Sequence, residues 1–165
     1  TIMPRIDIHK VYMNIAEEIG QLSYAERKKV GCILVKDGTI ISHGYNGTPY
    51  GFDNTCETYK ERFYDHPDGA ECLIDQGYEL MEGGIARKLV TKNEVLHAES
   101  NAISKVAKSS NSSEDADLYV TLSPCFDCSK LIIQSGIKRV FYREEYRLKD
   151  GLELLEKAGI QCVQC

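Results

Sequence analysis

The chain has 165 residues, of which 42% are hydrophobic and 27% charged, and its formal net charge is −5. These values are typical of one globular domain and exclude a disordered chain, while no apolar run approaches the roughly 18 residues that a membrane span needs. The acidic excess disfavours binding to a long nucleic-acid backbone. From the length we expect a single domain over residues 1–165.

No cationic stretch leads into an apolar run within the first ten residues, so we see no secretory signal. We therefore expect the protein to work in a reducing cytoplasm. The seven cysteines are an odd number spread over the chain, which favours metal ligation or buried thiols over a disulfide framework.

The first elements follow clear patterns. Apolar residues at intervals of three and four predict an amphipathic helix over residues 7–20. The apolar run 30–35, a turn signal at 37–38 and the segment 39–42 predict two buried strands joined by a hairpin. Residues 52–92 have weak periodicity, and we interpret them as an insertion with helical stretches at 57–64 and 70–82.

After the insertion, helices alternate with short apolar strands. Helices are predicted near 97–108, 125–135 and 150–158, and strands near 118–122, 139–142 and 160–163. This alternation after an opening hairpin predicts an α/β fold with helical layers around a mixed sheet of about five strands.

Two of these helix starts carry residues that can bind a metal. One has the pattern His-x-Glu, with His97 and Glu99, and the other has Pro-Cys-x-x-Cys, with Cys125 and Cys128. Two thiols three residues apart in a first helical turn lie on one face, so they can share a tetrahedral ion with the imidazole. Three protein ligands leave the fourth position to water, which is typical of catalytic zinc.

The joint pattern is the signature of zinc-dependent deaminases, in which Glu99 would pass protons between the attacking water, the ring nitrogen and the departing amine. Plainer interpretations exist for each part. The Cys-x-x-Cys pattern could be a redox pair, His97 could be a helix cap, and the ion could be structural.

The sequence resembles the deoxycytidylate (dCMP) deaminase family, and its phage members most closely. The resemblance rests on Gly-Tyr-Asn-Gly at 44–47, His-Ala-Glu at 97–99 and Tyr-Val-Thr-Leu-Ser-Pro-Cys at 119–125. It covers nearly the whole chain and is weakest across the insertion. It implies a cytidine deaminase-like α/β/α fold, one zinc ion per chain, and hydrolysis of dCMP to dUMP for thymidylate synthesis, in the host cytoplasm if a phage encodes the protein.

The resemblance also implies substrate contacts, at Arg27, Lys29, Asn46, Thr121, Ser123 and Tyr146. Asn46 would contact the deoxyribose 3′-hydroxyl, and residues 121–123 would face the amino edge of the pyrimidine. Tyr146 and the basic side chains would lie at the 5′-phosphate. Without the resemblance, the Asn-Gly pair at 46–47 would indicate only a turn.

Members of this family are commonly homohexamers that dCTP activates and dTTP inhibits. The resemblance therefore implies a regulatory nucleotide, bound with Mg²⁺ at a subunit contact, and the residues to expect there are His43, Asn46, Gly47, Thr48, Tyr50 and Gly51. Some phage members hold a second, structural zinc. Here Cys56, His66 and Cys72 fit no familiar ligand spacing, so we expect one ion per chain.

Two other functions stay open at this point. A polynucleotide deaminase would use the same zinc chemistry with a groove for the strand, and the basic residues at 27–29 could contribute to one. A non-catalytic zinc module that binds nucleotides would keep the ligands and have no need of Glu99.

Overall fold

The computed structural model describes residues 5–165, so the first four residues of the predicted domain lie outside it. In chain order the elements are α1 (Ile8–Gly20), β1 (Gly31–Lys36), β2 (Thr39–Tyr45), β3 (Glu57–Phe63), α2 (Pro67–Asp75), β4 (Glu79–Met81), β5 (Ile85–Thr91), α3 (Ala98–Ala107), β6 (Asp117–Leu122), α4 (Phe126–Gln134), β7 (Arg139–Glu144), α5 (Asp150–Lys157) and β8 (Gln161–Gln164).

The predicted mixed sheet is confirmed. Its five strands have the order β2-β1-β6-β7-β8, with β1 antiparallel to both neighbours and β6, β7 and β8 parallel to one another. The parallel strands follow one another through α4 and α5, as parallel connections require. The helix α1 and the opening hairpin also lie where their patterns predicted.

Two apolar cores lie on opposite faces of this sheet, and β1 contributes to both. Cys32 and Leu34 are fully buried in the core that includes α3, α4 and α5, whereas Ile33 and Val35 face α1. Successive side chains of a strand point to opposite faces, which explains why residues 30–35 form a continuous apolar run. The result is the expected α/β/α layering.

The insertion folds differently from its prediction. The helix predicted over 57–64 is wrong, because β3 pairs antiparallel with β5 along its whole length. The stretch 70–82 is helical only as far as Asp75 and then turns into β4, the third strand of a small sheet ordered β3-β5-β4. Six of the seven β3 residues are exposed, so no apolar face anchors a helix there, and pairing with a distant strand decides the conformation.

The longest helix within residues 5–165, α1, has 13 residues, and none of the described helices is long and apolar enough to span a membrane.

Candidate active site

The predicted metal ligands meet where two helices begin. His97 is the N-cap residue of α3, Cys125 is that of α4, and Cys128 lies in the first turn of α4. The Nδ1 atom of His97 lies 3.4 Å from the Sγ atom of each cysteine. Among residues 5–165, these three side chains form the one group of histidine, cysteine and acidic residues compact enough to hold a metal ion.

The donor set suits zinc. A tetrahedral ion with bonds of about 2.1 Å to nitrogen and about 2.3 Å to sulfur holds these donors about 3.6 Å apart, close to the separations observed. One imidazole and two thiols are ligands that zinc favours, and three of them leave one position for water or substrate. The three side chains therefore fit a catalytic zinc ion bound by Nδ1 of His97 and by the two Sγ atoms.

The two thiols have unlike acidities in the metal-free protein. A hydrogen bond from Cys128 and others from His97 and from the Cys128 backbone N–H lower the pKa of Cys125 to about 4, although burial opposes this. The proton that Cys128 shares with its neighbour, together with burial, raises the pKa of Cys128. The lowered pKa favours the thiolate form of Cys125, which lies at the start of a helix. Metal binding would release the proton that Cys128 keeps.

Glu99 lies in the first turn of α3, two residues after the histidine, and is only 4% exposed. Burial raises its pKa from 4.5 to about 7, against the opposing influence of its own backbone N–H and of the His97 charge. A carboxyl group with a pKa near neutrality can both accept and return a proton at physiological pH. Glu99 lines the same cavity as His97 and Cys125.

Close packing against β2 places α3. A Cβ atom on Gly44 would lie 2.3 Å from the backbone oxygen of Ala98, so only glycine lets the helix approach the strand this closely. Gly47 and Leu96 exchange two backbone hydrogen bonds just before the histidine, at 3.1 and 2.8 Å. The Gly-Tyr-Asn-Gly segment therefore fixes the position of the helix that carries His97.

A second glycine places the start of α4. A Cβ atom on Gly151, in the first turn of α5, would lie 2.2 Å from the backbone oxygen of Pro124 and 2.9 Å from the carbonyl carbon of Cys125. The N-terminus of α5 thus packs directly on the backbone that carries the first thiol ligand.

A cavity of about 270 Å³ opens beside these groups, just below the roughly 300–1,000 Å³ typical of small-molecule pockets. Of the residues predicted from the sequence, it is lined by Arg27, Asn46, His97, Glu99, Ser123, Cys125 and Tyr146. The structure thus brings together side chains separated by more than a hundred positions in the chain.

Two predicted contacts, Lys29 and Thr121, do not line the cavity, and several residues that do were not predicted, among them Lys28 and Glu57. Lys28 lines it instead of Lys29, together with Arg27 and Val30. No local pattern distinguishes the two lysines, because Arg27 and Lys28 are consecutive and both line the cavity. Thr121 points its hydroxyl at the Gly31 backbone N–H, 3.1 Å away, and Glu57 joins the lining from the insertion.

Several lining side chains are occupied by backbone partners. Asn46 accepts a hydrogen bond from the Val30 N–H and donates one to the Lys28 carbonyl, both at 2.8 Å. Ser123 accepts one from the Tyr146 N–H at 2.7 Å. Each amide or hydroxyl here holds a neighbouring segment in place, and the second N–H and the second lone pair of Asn46 stay available for a ligand.

The residues expected at a regulatory site, within 43–51, differ in their surroundings. His43 lies on the exposed side of β2, where partial removal from solvent and the nearby Lys105 charge lower its pKa, and Tyr50 is fully exposed. Thr48 donates a hydrogen bond to the Asp53 carbonyl at 2.6 Å. Within residues 5–165, Cys56, His66 and Cys72 form no group compact enough for a second ion.

Comparison with known proteins adds independent evidence. Residues 6–144 match the family model described as cytidine and deoxycytidylate deaminase zinc-binding region. A protein named deoxycytidylate deaminase from Enterobacteria phage T4 is 40% identical over 90% of this chain and 85% of its own length. The protein of the same name from phage T2 is 39% identical over 90% of this chain and 87% of its own.

A crystal structure shares the fold. The dCMP deaminase of cyanophage S-TIM5, solved in complex with dCMP and dUMP, superposes with a TM-score of 0.76 at 40% identity, over 99% of this chain and all of the other.

Proposed function

Because this chain belongs to the cytidine and deoxycytidylate deaminase family, we propose that it hydrolyses dCMP to dUMP and ammonia in the cavity beside Glu99. One observation carries the proposal: a buried carboxyl, two cationic side chains and two members of the three-residue metal group, His97 and Cys125, line one small cavity. The names of the phage relatives and the nucleotides bound to the S-TIM5 enzyme support this choice of substrate.

The chemistry at the pyrimidine falls to Glu99 and the ligand group. Zinc held by His97, Cys125 and Cys128 would supply Lewis-acid activation of the attacking water. The Glu99 carboxylate accepts a proton as the water oxygen bonds to C4 of the ring, and it delivers this proton to the ring nitrogen. It then takes the second proton from the new C4 hydroxyl and passes it to the amino group, so that the C4–N bond breaks, ammonia leaves and the C4 carbonyl forms. Burial suits Glu99 to this work, because its raised pKa lets both protonation states occur near neutral pH.

The remaining lining residues bind and orient the nucleotide. Arg27 and Lys28 supply the positive charge for the 5′-phosphate, with Lys28 taking the place foreseen for Lys29. Asn46 offers its free N–H to the deoxyribose 3′-hydroxyl. Tyr146 contacts the phosphate end.

At the pyrimidine end, the backbone at 121–123 faces the amino edge. Ser123 is buried, and its hydroxyl holds the Tyr146 segment rather than pointing into solvent. Thr121 acts through its bond to Gly31, which keeps β6 and β1 in register beside the cavity.

The substitution Glu99→Ala tests the catalytic assignment. We expect turnover of dCMP to fall by roughly 10²- to 10⁴-fold, as is typical when a general acid–base group is removed, while zinc content and the circular dichroism spectrum stay as in the wild type. Glu61→Ala, an exposed glutamate on β3, is the matched control. Loss of zinc in Glu99→Ala would show that the carboxylate is a ligand and that its role is misassigned.

The same assay separates the two other functions. Single-stranded DNA deaminated by a zinc-loaded protein that leaves dCMP unchanged would indicate a polynucleotide deaminase. Nucleotide binding without turnover of either substrate would indicate a non-catalytic module.

Regulation and assembly extend the proposal on the basis of family resemblance alone. We propose a homohexamer that dCTP with Mg²⁺ activates and dTTP inhibits through residues 43–51, working in the cytoplasm. Initial rates on dCMP with and without each triphosphate, together with sedimentation velocity, test this. Rates insensitive to both triphosphates would remove the regulatory part and leave the catalytic part standing.

A further inference from the structure

We propose that the small sheet of the insertion shapes the phosphate end of the pocket, and that Glu57 is a positioning residue for the basic segment 26–30. This inference rests on the proposed function, because it assigns to Glu57 the preference for a nucleoside 5′-monophosphate over the free nucleoside. Glu57 is the first residue of β3 and lines the cavity.

The first observation is the bonding of a buried carboxylate. Glu57 is 6% exposed, and its Oε1 atom accepts hydrogen bonds from the backbone N–H groups of Glu26, at 3.0 Å, and Arg27, at 3.2 Å. Burying a carboxylate is costly unless such donors compensate it. The bonds therefore hold the turn before Lys28 in one conformation.

A second contact comes from the same small sheet. Thr91, the last residue of β5, accepts a hydrogen bond from Nη1 of Arg27 at 3.2 Å. The sheet thus holds both the backbone and the guanidinium of Arg27. On the far side, Asn46 bonds to the backbone of Lys28 and Val30. The basic segment is fixed between Asn46, the residue after β2, and the insertion before any ligand arrives.

Charge decides between positioning and direct recognition. A carboxylate repels a phosphate, so Glu57 by itself weakens anion binding in the cavity. Its value to a phosphate site must come from the two backbone bonds, which keep Arg27 and Lys28 directed at the ligand. Preformed geometry of this kind lowers the cost of binding, and a displacement of about 1 Å can cost roughly a hundredfold in rate.

Two substitutions separate the hydrogen bonds from the charge. Glu57→Ala removes both, whereas Glu57→Gln retains a carbonyl oxygen that can accept both N–H groups and removes the charge. Glu61→Ala, on the same strand but exposed, serves as the control. For each protein, kcat and KM are measured on dCMP, and kcat/KM on deoxycytidine from progress curves at high enzyme concentration.

We expect Glu57→Ala to lower the ratio of kcat/KM for dCMP to that for deoxycytidine by about tenfold or more, mainly through KM for dCMP. Glu57→Gln should restore the ratio to the wild-type value or above it, since the repulsive charge is gone. Amide exchange should quicken at Glu26 and Arg27 in the alanine variant and stay unchanged in β1.

Three results would overturn the inference. They are an unchanged ratio in Glu57→Ala, an equal loss on both substrates, and a glutamine variant that behaves like alanine. A zinc-loaded wild-type protein inactive on dCMP would instead refute the proposed function, and this inference with it. The wild-type measurement therefore distinguishes the two failures.

Discussion

The burial of Glu99 makes a sharp prediction about stability and pH in the metal-free protein. Its pKa rises from 4.5 to about 7 on folding, mainly because burial disfavours the charged form. Between these two values the folded state keeps a proton that the unfolded state releases. The free energy of unfolding must therefore fall as the pH rises from about 4.5 to about 7, and Glu99→Gln, which cannot ionise, must escape this loss.

The size of the effect follows from the two pKa values. One pKa unit corresponds to about 1.4 kcal/mol. The raised pKa of Glu99 therefore lowers the free energy of unfolding of the wild type by about 3 kcal/mol above pH 7 and by about 1 kcal/mol at pH 5. The stability of Glu99→Gln relative to the wild type should thus increase by about 2 kcal/mol between pH 5 and pH 8. Bound zinc should shrink this increase, because a nearby cation stabilises the ionised carboxylate.

Urea unfolding at the two pH values, with a chelator and a thiol reductant present, measures the difference. Circular dichroism is the suitable probe, since the chain has no tryptophan. Glu61→Gln, at an exposed position, serves as the matched control. A relative stability of Glu99→Gln that is equal at pH 5 and pH 8, or lower at pH 8, would refute the burial of a titrating carboxyl at this position.

Three further changes have definite outcomes. Cys125→Ala should lose bound zinc by elemental analysis and unfold at lower urea concentration, because metal binding contributes to folding; full zinc content would contradict the ligand set. Gly44→Ala should cost roughly 1–3 kcal/mol of unfolding free energy, since its Cβ would lie 2.3 Å from the Ala98 oxygen, and an unchanged urea midpoint would speak against this packing. Glu144→Gln should release Lys28 from its ion pair, in which Nζ lies 2.5 Å from the Glu144 carboxylate. KM for dCMP should then fall by less than about tenfold, and by a smaller factor at high salt. A raised KM would argue against Lys28 as a phosphate ligand.

The layered sheet was accessible from local patterns alone. The spacing of apolar residues predicts α1. The continuous apolar run predicts β1, because two cores bury this strand from opposite sides. The metal group was equally accessible, because the three-residue spacing of Cys125 and Cys128 is a property of a single helical turn. Each of these signals spans only a few residues, and the joint occurrence of the His-x-Glu and Pro-Cys-x-x-Cys motifs connects His97 with the two cysteines.

The insertion was beyond such reasoning. Residues of β3 carry neither helical nor alternating apolar periodicity, and their conformation depends on bonds to β5, more than twenty positions later. The prediction of a helix there failed because partner strands, not local propensity, determine a short exposed strand. The role of Glu57 was hidden for the same reason, since its partners are the backbone groups of residues 26 and 27.

The amino-acid sequence by itself determined the α/β layering and identified His97, Cys125 and Cys128 as a group that can hold a metal ion, because each helix, strand and motif depends on spacing over a few residues. Only the tertiary structure decided that Lys28 rather than Lys29 faces the cavity, that Asn46 anchors the basic segment, and that the small sheet holds it from the other side. Contacts between segments that are distant in the chain have no local signature, since they form only when the two cores bring those segments together.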